Sequence, residues 1–244
     1  MRVSYLTFVV AFASATAIFS CEKTKYIAPP VSFVVINAMP GSNDIVPKLG
    51  ADTAGRYFNS PESGRNIARV SYGTSQLYSI GPGQTSLTVV PITDTTFNIF
   101  KTDLTLESGT IYSFYLSGDT AHADTMMVKE NLPPITDSSA GARFVNLASG
   151  GKSLTINLAS DNTHTPIASL AYHNLSDFKN YDAGMNVGGH YDFEIRDQAT
   201  GDSLTTFTWT YARYRCTTIV ISGSTDPLSP TPLNVFAVNN FVTY

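Results

Sequence analysis

The residues most suggestive of chemistry are Gly150-Gly151-Lys152-Ser153, since Gly-Lys followed by Ser or Thr ends the phosphate-cradling loop of nucleotide hydrolases. That loop also requires a glycine five residues before the last glycine, where this chain has Asn146. It further requires a helix directly behind it, so that the helix N-terminal amides face the phosphates. The run that follows, SLTINLAS, alternates apolar and polar residues and predicts a strand. We therefore expect no nucleotide site here.

The other residues with catalytic or metal-binding side chains form no recognisable pattern. No two of the four histidines have the spacing of a zinc motif, and no Gly-x-Ser-x-Gly sequence marks a nucleophilic serine. Asp119, His122 and Asp124 could form a weak cation site, but a solvated hairpin is the preferred interpretation. We assign no catalytic residue, metal ligand or cofactor, and predict that the protein is not an enzyme.

Composition and charge narrow the class of protein. The chain is 43% hydrophobic but only 14% charged, with many Thr, Ser, Asn and Tyr residues, which is typical of a β protein with a polar surface. Its formal net charge is −4, without a basic run or an arginine-rich stripe, so nucleic acid is not expected as a partner.

The first residues, MRVSYLTFVVAFASATAIFSC, have the composition of a secretory signal. Arg2 precedes an apolar stretch, Tyr5 to Phe19, that is short for a permanent membrane span. The stretch ends in IFSC, which resembles the lipobox of bacterial lipoproteins, where the cysteine thiol receives the lipid. Residues 1–20 are therefore predicted to be a signal peptide, and Cys21 to be the lipidated residue that contacts the membrane. An ordinary signal peptide with a chance cysteine is the alternative.

The second cysteine, Cys216, has no partner for a disulfide if Cys21 is acylated. It lies within an apolar run, which predicts a small buried core residue rather than a redox centre.

The chain repeats itself at an offset of about 100–110 residues, so it contains two copies of one module. VSFVVINAMPGSNDIVPKLG (31–50) matches GARFVNLASGGKSLTINLAS (141–160), and IYSFYLSG (111–118) matches CTTIVISG (216–223). Tyr72 corresponds to Tyr172 between these segments. The GGKS sequence occupies the place of PGSN (40–43) in the first copy. We therefore predict a hairpin turn between paired strands, with glycines at positive φ and Lys152 pointing to solvent.

The sequence pattern of both copies predicts short strands separated by turn residues. The predicted strands are 31–38, 44–49, 66–72, 76–80, 85–91, 97–106, 110–117 and 123–129 in the first copy, and 142–148, 153–159, 166–172, 177–182, 188–196, 203–211, 215–222 and 232–239 in the second. This pattern predicts an all-β protein with two tandem immunoglobulin-like β-sandwich modules, residues 31–130 and 141–244. Residues 21–30 are the tether from the lipid, and 131–140 the linker.

Several of these features resemble a family of repeated envelope domains known as domain of unknown function 4397. They are the Asn-apolar-small-Gly turn, the later Tyr-Gly, the Gly-x-Gly before a strand, and LTLESGTIYSFYLSG. The first copy matches along nearly its full length. The second has His173 in place of the Tyr-Gly glycine, and TWTYARYRC in place of TLESGTIY. The resemblance implies extracytoplasmic β-sandwich repeats, often on lipoproteins of the Bacteroidota phylum, and implies no catalytic residues.

The segment TTFTWTYARYR (205–215) holds the only tryptophan. Phe207, Trp209 and Tyr211 alternate and so share one face of a strand. Facing inward, they would form the core of the second module, which is the preferred interpretation. Facing outward, they could contact a sugar ring or a partner protein. The candidate contact residues would then be Trp209, Tyr211, Arg213, Tyr214 and Arg215.

Five Asp-Thr and Asp-Ser pairs resemble the Asp-Ser/Thr-aliphatic sequence that Bacteroidota use for O-glycosylation of exported proteins. The acceptor residues would be Thr53, Thr95, Thr120, Thr125 and Ser203. The alternative is that Asp-Thr is simply favourable turn chemistry, and both interpretations remain open.

Together these features predict a lipoprotein of the cell envelope, anchored by its lipid in the outer membrane and facing either the periplasm or the medium. The leading hypothesis is a non-catalytic binding or adhesion module with a glycan or protein partner. A structural spacer or assembly component of an outer-membrane complex is the second. A hydrolase with its site between the modules is the third and weakest.

Overall fold

The computed structural model describes residues 28–50, 69–160, 165–184 and 188–240, and within these ranges it contains sixteen strands and no helix. The first module has β1 (Val31–Asn37), β2 (Asp44–Leu49), β3 (Val70–Ser71), β4 (Thr74–Ile80), β5 (Gly83–Pro91), β6 (Phe100–Leu106), β7 (Ile111–Gly118) and β8 (Ala123–Lys129). The second has β9 (Ser139–Asn146), β10 (Leu154–Leu158), β11 (Ile167–Leu170), β12 (Lys179–Asp182), β13 (His190–Asp197), β14 (Ser203–Thr210), β15 (Cys216–Ser222) and β16 (Asn234–Asn240). Each overlaps one predicted strand.

The two modules have the same arrangement of strands. The first consists of the sheets β4-β1-β7-β8 and β3-β2-β5-β6, and the second of β12-β9-β15-β16 and β11-β10-β13-β14. The prediction of an all-β chain with two β-sandwich modules is confirmed. In each module the first strand lies inside its sheet, antiparallel to the fourth strand and parallel to the seventh. An immunoglobulin constant domain instead has its first strand at a sheet edge.

The strands of the outer sheets have alternating buried and exposed residues, whereas the two central strands of each inner sheet are buried on both faces. In β13, Phe193 and Ile195 are buried, and Glu194 and Arg196, which alternate with them, are partly exposed, which is the period-2 pattern of a half-buried strand. All seven residues of β15 are buried. One face of β15 packs on the second module's own core, and the other contributes Val220 to a cluster shared by both modules.

This shared cluster, which we call the module interface, is where the two inner sheets pack face to face. It contains Val34, Ile36, Ala38 and Tyr115 from the first module, and Val145, Leu147, Val220 and Val238 from the second. All eight are buried, so the two repeats share one continuous apolar contact.

The module interface is flanked by equivalent tyrosines that reach across it in both directions. The hydroxyl of Tyr72 lies 3.1 Å from the hydroxyl of Ser222 in the second module. Its counterpart, Tyr172, donates a hydrogen bond of 2.8 Å to Asp124 in the first module. A contact in which each copy offers the same residue to the other is the hallmark of a two-fold, isologous interface.

An asparagine at the end of the first strand explains the repeated Asn-apolar-small sequence. Asn37 donates through Nδ2 to the carbonyl of Val70, at 3.1 Å, and its Oδ1 accepts from the amide of Met39. Asn146 repeats this arrangement with the carbonyl of Leu170, at 3.0 Å, and an equivalent backbone amide. Each buried carboxamide therefore ties the chain to the opposite sheet as it leaves the first strand.

The GGKS segment is a connection between sheets, and the prediction of a hairpin is wrong. β9 and β10, which flank it, lie in different sheets and do not pair with each other. The predicted positive φ values are present, 105° at Gly150 and 67° at Gly151. β10 follows the segment, as the alternating residues predicted.

The second module begins slightly earlier than predicted, because β9 starts at Ser139 inside the predicted linker. Ser139 and Ala140 pair with Asp182 and Tyr181 of β12, so this part of the linker belongs to the sheet. Residues 1–27, with the predicted signal peptide and Cys21, lie outside the described residues. In the part of the chain that is described, no helix is long and apolar enough to cross a bilayer.

Candidate functional site

The aromatic segment is divided between the core and the surface. Trp209 is only 1% exposed and contacts Tyr181, with the ring centroids 5.6 Å apart. It is therefore a core residue, and the outward-facing alternative does not describe it. Tyr211 is half-buried beside Trp209, with the ring centroids 5.9 Å apart.

The other three predicted contact residues form an exposed turn between β14 and β15. Arg213, Tyr214 and Arg215 are all exposed, and the side chain of Tyr214 is among the few large apolar ones at the surface. The amide of Tyr214 donates to the carbonyl of Ser139 at 2.9 Å, which fixes the turn against β9. Two guanidinium groups and one phenol are thus held at the end of β14.

The predicted O-glycosylation residues differ in their accessibility. Thr95, Thr120 and Ser203 are exposed, Thr125 is half-buried in β8, and Thr53 lies outside the described residues. Asp94, which precedes Thr95, accepts hydrogen bonds from the amide and the hydroxyl of Thr96, and these lower the pKa of its carboxyl group. This aspartate therefore performs the turn chemistry that was the alternative interpretation.

The turn at residues 119–122 is likewise capped by its own aspartate. Asp119 accepts from the amides of Ala121 and His122 at 2.8 and 2.7 Å, and these bonds lower the pKa of its carboxyl group. Asp124 points away to Tyr172 and to His173, whose Nε2 lies 3.1 Å from its carboxylate. The three residues proposed for a cation site are thus divided between a turn and the module interface. Among the described residues, no group of His, Cys, Asp or Glu side chains could hold a metal ion.

Cys216 is buried and free, as predicted. Burial raises the pKa of its thiol, which favours the protonated, unreactive form.

A cleft of about 450 Å³ lies at one end of the second module, and we call it the acidic cleft. Its lining residues are Lys152, Asp197, Thr200, Asp202, Ser203, Leu204, Thr205, Ser224, Thr225, Asp226, Pro227, Pro232 and Leu233. They come from the GGKS segment, the β13–β14 turn and the β15–β16 loop, which meet at the same end of the sandwich. The volume is within the range of small-ligand sites.

The lysine of the GGKS segment belongs to this cleft. Its ammonium group lies 2.7 Å from the carboxylate of Asp197, whose side chain is only 6% exposed. That hydrogen bond raises the pKa of Lys152 and lowers the pKa of Asp197. The Lys152 side chain is 44% exposed, so it reaches solvent as predicted, but its ammonium group is also held by Asp197. Because Lys152 neutralises Asp197, the carboxylates of Asp202 and Asp226 give the cleft its negative charge.

The cleft exists because the β15–β16 loop, residues 223–233, is much longer than its counterpart in the first module, residues 119–122. Asp226 shapes this loop by accepting a hydrogen bond of 2.9 Å from the amide of Leu228. The tip of the loop carries Leu228, which is 91% exposed. The contrast between GSTDPLSPTPL (223–233) and DTAH (119–122) in the two copies was the sequence signal that could have located the cleft.

The cleft, the exposed turn after β14 and the module interface are the features from which a function can be argued. No protein-family model matches the chain, and no curated protein is significantly similar to it, so its function has to be argued from these features.

Proposed function

We propose that this protein is a lipid-anchored component of the cell envelope and acts as a non-catalytic binding module, with its binding site in the acidic cleft of the second repeat. The single observation that carries this proposal is the cleft itself, a concave site built by three chain segments around an ion pair between the partly exposed Lys152 and the buried Asp197. The sequence resemblance to repeated envelope domains supports the location.

The lining of the cleft favours a neutral, hydroxyl-rich ligand such as a glycan. Carboxylates accept hydrogen bonds from sugar hydroxyls, and Ser203, Thr205 and Thr225 can donate or accept. Leu204 and Leu233 offer apolar surface to the face of a sugar ring that carries its C–H groups. An anionic ligand would meet repulsion from Asp202 and Asp226, because Lys152 already has a partner.

The first module then serves as the support that holds the cleft away from the membrane. Its packing against the second module at the module interface makes the two repeats one unit. The same rigidity would suit a spacer or assembly component of an outer-membrane complex, which is the second candidate function. The third, a hydrolase with its site between the modules, gains no support, because packed side chains such as Ile36 and Val220 occupy that position.

A glycan array with the mature chain tests the proposal. We expect saturable binding that Asp226→Asn or Asp202→Asn weakens at least tenfold while the far-ultraviolet circular dichroism is retained. Asp103→Asn, at a shallow hollow on the outer sheet of the first module, is the matched control and should leave binding unchanged. A pull-down from envelope extract with the same variants supplies the second measurement. A stoichiometric protein partner without any glycan signal would favour the assembly function, and turnover of a polysaccharide would contradict both.

A further inference from the structure

We propose that β14 is a self-association edge, on which a second copy of this chain pairs through its own β14 in antiparallel orientation. The inference concerns the free edge of β14, a strand whose first residues also line the acidic cleft, and goes beyond the proposed function.

The first argument is that β14 lacks the protection found at comparable sheet edges. An exposed strand edge invites pairing with another chain unless it is short or carries charges. Among the outer sheets of the described chain, β3 and β11 are short edge strands, and β6 is longer but carries Lys101 and Asp103. β14 is eight residues long and contains no charged residue and no proline, and among the described residues it pairs only with β13.

The shape of β14 identifies the part that is available for pairing. The register against β13 shifts at Leu204, which is the signature of a bulge near the start of the strand. From Thr205 to Thr210 the pairing is regular, so this segment offers a flat edge. Thr206, Thr208 and Thr210 are exposed on its outer face, and Phe207 is half-buried on its inner face.

The second argument is that the two ends of β14 carry opposite charge. Before the strand lies Asp202, with Asp226 nearby across the acidic cleft. After the strand lies the exposed turn with Arg213 and Arg215. An antiparallel pair brings the start of one strand beside the end of the other, so acidic and basic ends meet twice in a symmetric dimer.

The exposed apolar side chains, like the charges, lie at the two ends of β14. Leu228 and Tyr214 are two of the four large hydrophobic residues that are exposed in the described chain. Leu228 follows Pro227, which lines the cleft at the start of β14, whereas Tyr214 lies in the turn after its end. Antiparallel pairing therefore brings Leu228 of one copy towards Tyr214 of the other, at both ends of the contact.

The register follows from the faces of the strand. In a two-fold pair that continues the sheet, residues opposite each other lie on the same face. With Phe207 on the two-fold axis, Thr206 of one copy is opposite Thr208 of the other. These two exposed threonines form cross-strand pairs, and the two outer sheets join into one continuous sheet.

The test introduces charged residues at the two threonine positions that this register places opposite each other. It needs no ligand, so its outcome is independent of glycan binding. The full chain is purified in density-matched detergent, and its mass is measured by sedimentation equilibrium up to about 100 µM, where an interface of micromolar affinity is occupied. We expect wild type to have twice the mass of one chain. The double variant Thr206→Lys/Thr208→Lys sets lysine opposite lysine and should be monomeric.

A charge-complementary variant makes the test specific to the antiparallel register. Thr206→Lys/Thr208→Glu sets each introduced lysine opposite an introduced glutamate and should be dimeric again. Asp103→Lys/Thr105→Lys, at two exposed positions on the same face of β6, is the control and should not change the mass. A monomeric wild type, a dimer that survives the double lysine variant, or loss of the dimer in the complementary variant with retained circular dichroism would each overturn the proposal.

Discussion

The guanidinium of Arg143 lies 2.6 Å from the carboxylate of Glu130, and both side chains are almost completely buried where the first module leads into the second. Glu130 directly follows β8, and Arg143 belongs to β9. Arg143 also donates to the hydroxyl of Thr218 at 2.9 Å and stacks on the ring of Phe178, 4.4 Å from its centroid. The ion pair therefore joins the last strand of one repeat to the first strand of the next.

Removing one partner of this pair should strongly destabilise the protein. Glu130→Ala leaves the guanidinium buried without its counter-ion, and we expect the free energy of unfolding to fall by about 3–5 kcal/mol. Urea unfolding followed by circular dichroism measures this change. Glu107→Ala, which breaks the exposed pair with Lys129, is the control and should cost about 1 kcal/mol or less. Equal effects of the two substitutions would show that the buried guanidinium of Arg143 does not need Glu130 as its counter-ion.

The buried asparagine of the second module should also be sensitive to substitution. Asn146→Ala removes hydrogen bonds to the carbonyls of Lys152 and Leu170, so we expect a loss of about 1–3 kcal/mol of stability. Asn180→Ala, at an exposed position of β12, should change stability by no more than about 0.5 kcal/mol. Equilibrium unfolding of both variants tests this. A neutral Asn146→Ala would mean that water replaces the carboxamide.

Two glycines with similar backbone conformation should respond differently to alanine. Gly151 has φ 67° and no atom near the position of a Cβ, so Gly151→Ala should cost about 1–2 kcal/mol for the left-handed conformation alone. Gly223 has φ 85°, but its Cβ would lie 2.2 Å from the carbonyl oxygen of Pro232. Gly223→Ala should therefore cost about a further 1–3 kcal/mol, because the β15–β16 loop has to move. Thermal unfolding compares the two variants, and equal shifts in Tm would contradict the steric argument.

The tyrosine hydrogen-bonded across the module interface should make the stability fall at alkaline pH. Burial, followed by the hydrogen bond to Asp124, raises the pKa of Tyr172 from 10.0 to about 12. Below pH 10 the phenol is protonated in both the folded and the unfolded chain. Between pH 10 and 12 the unfolded chain loses this proton first, so this contribution to stability is lost as the pH rises through about 12.

Tyr172→Phe should remove part of this pH dependence, as measured by urea unfolding at a series of pH values. Burial also raises the pKa of Tyr181, so some of the alkaline slope should persist in the variant. Asp124→Asn removes the charged acceptor and should shift the tyrosinate absorbance of Tyr172 to lower pH. An unchanged slope in Tyr172→Phe would contradict the assignment.

Local sequence patterns were sufficient to predict the strands, the repeat and the core. The alternation of Phe207, Trp209 and Tyr211 favoured an inward face for Trp209, and the positive φ values at Gly150 and Gly151 followed from turn chemistry. His173 stands where the first copy has Gly73, and it still adopts the glycine-like φ, 60° against 77°. The two copies therefore keep the same backbone conformation at this position although the residue type differs.

The relationships that the sequence did not reveal are those between segments that are distant along the chain. A turn of glycines and polar residues can join strands of one sheet or of two, so the GGKS segment was assigned to a hairpin. The Lys152–Asp197 ion pair depends on the β13–β14 turn reaching that segment, which local patterns do not contain. The face-to-face packing of the inner sheets was likewise hidden, because a run such as that of β15 is equally apolar in any buried strand.

The reciprocal tyrosines have a consequence for how the protein behaves at low abundance. Two separate chains joined by such a contact would dissociate on dilution, and would display every loop twice. On one polypeptide, the short connection between the modules keeps each half at an effective concentration on the order of millimolar around the other. The two modules therefore remain packed together at any protein concentration. Because the long 223–233 loop belongs to the second module alone, the described part of each molecule has one acidic cleft built by this loop.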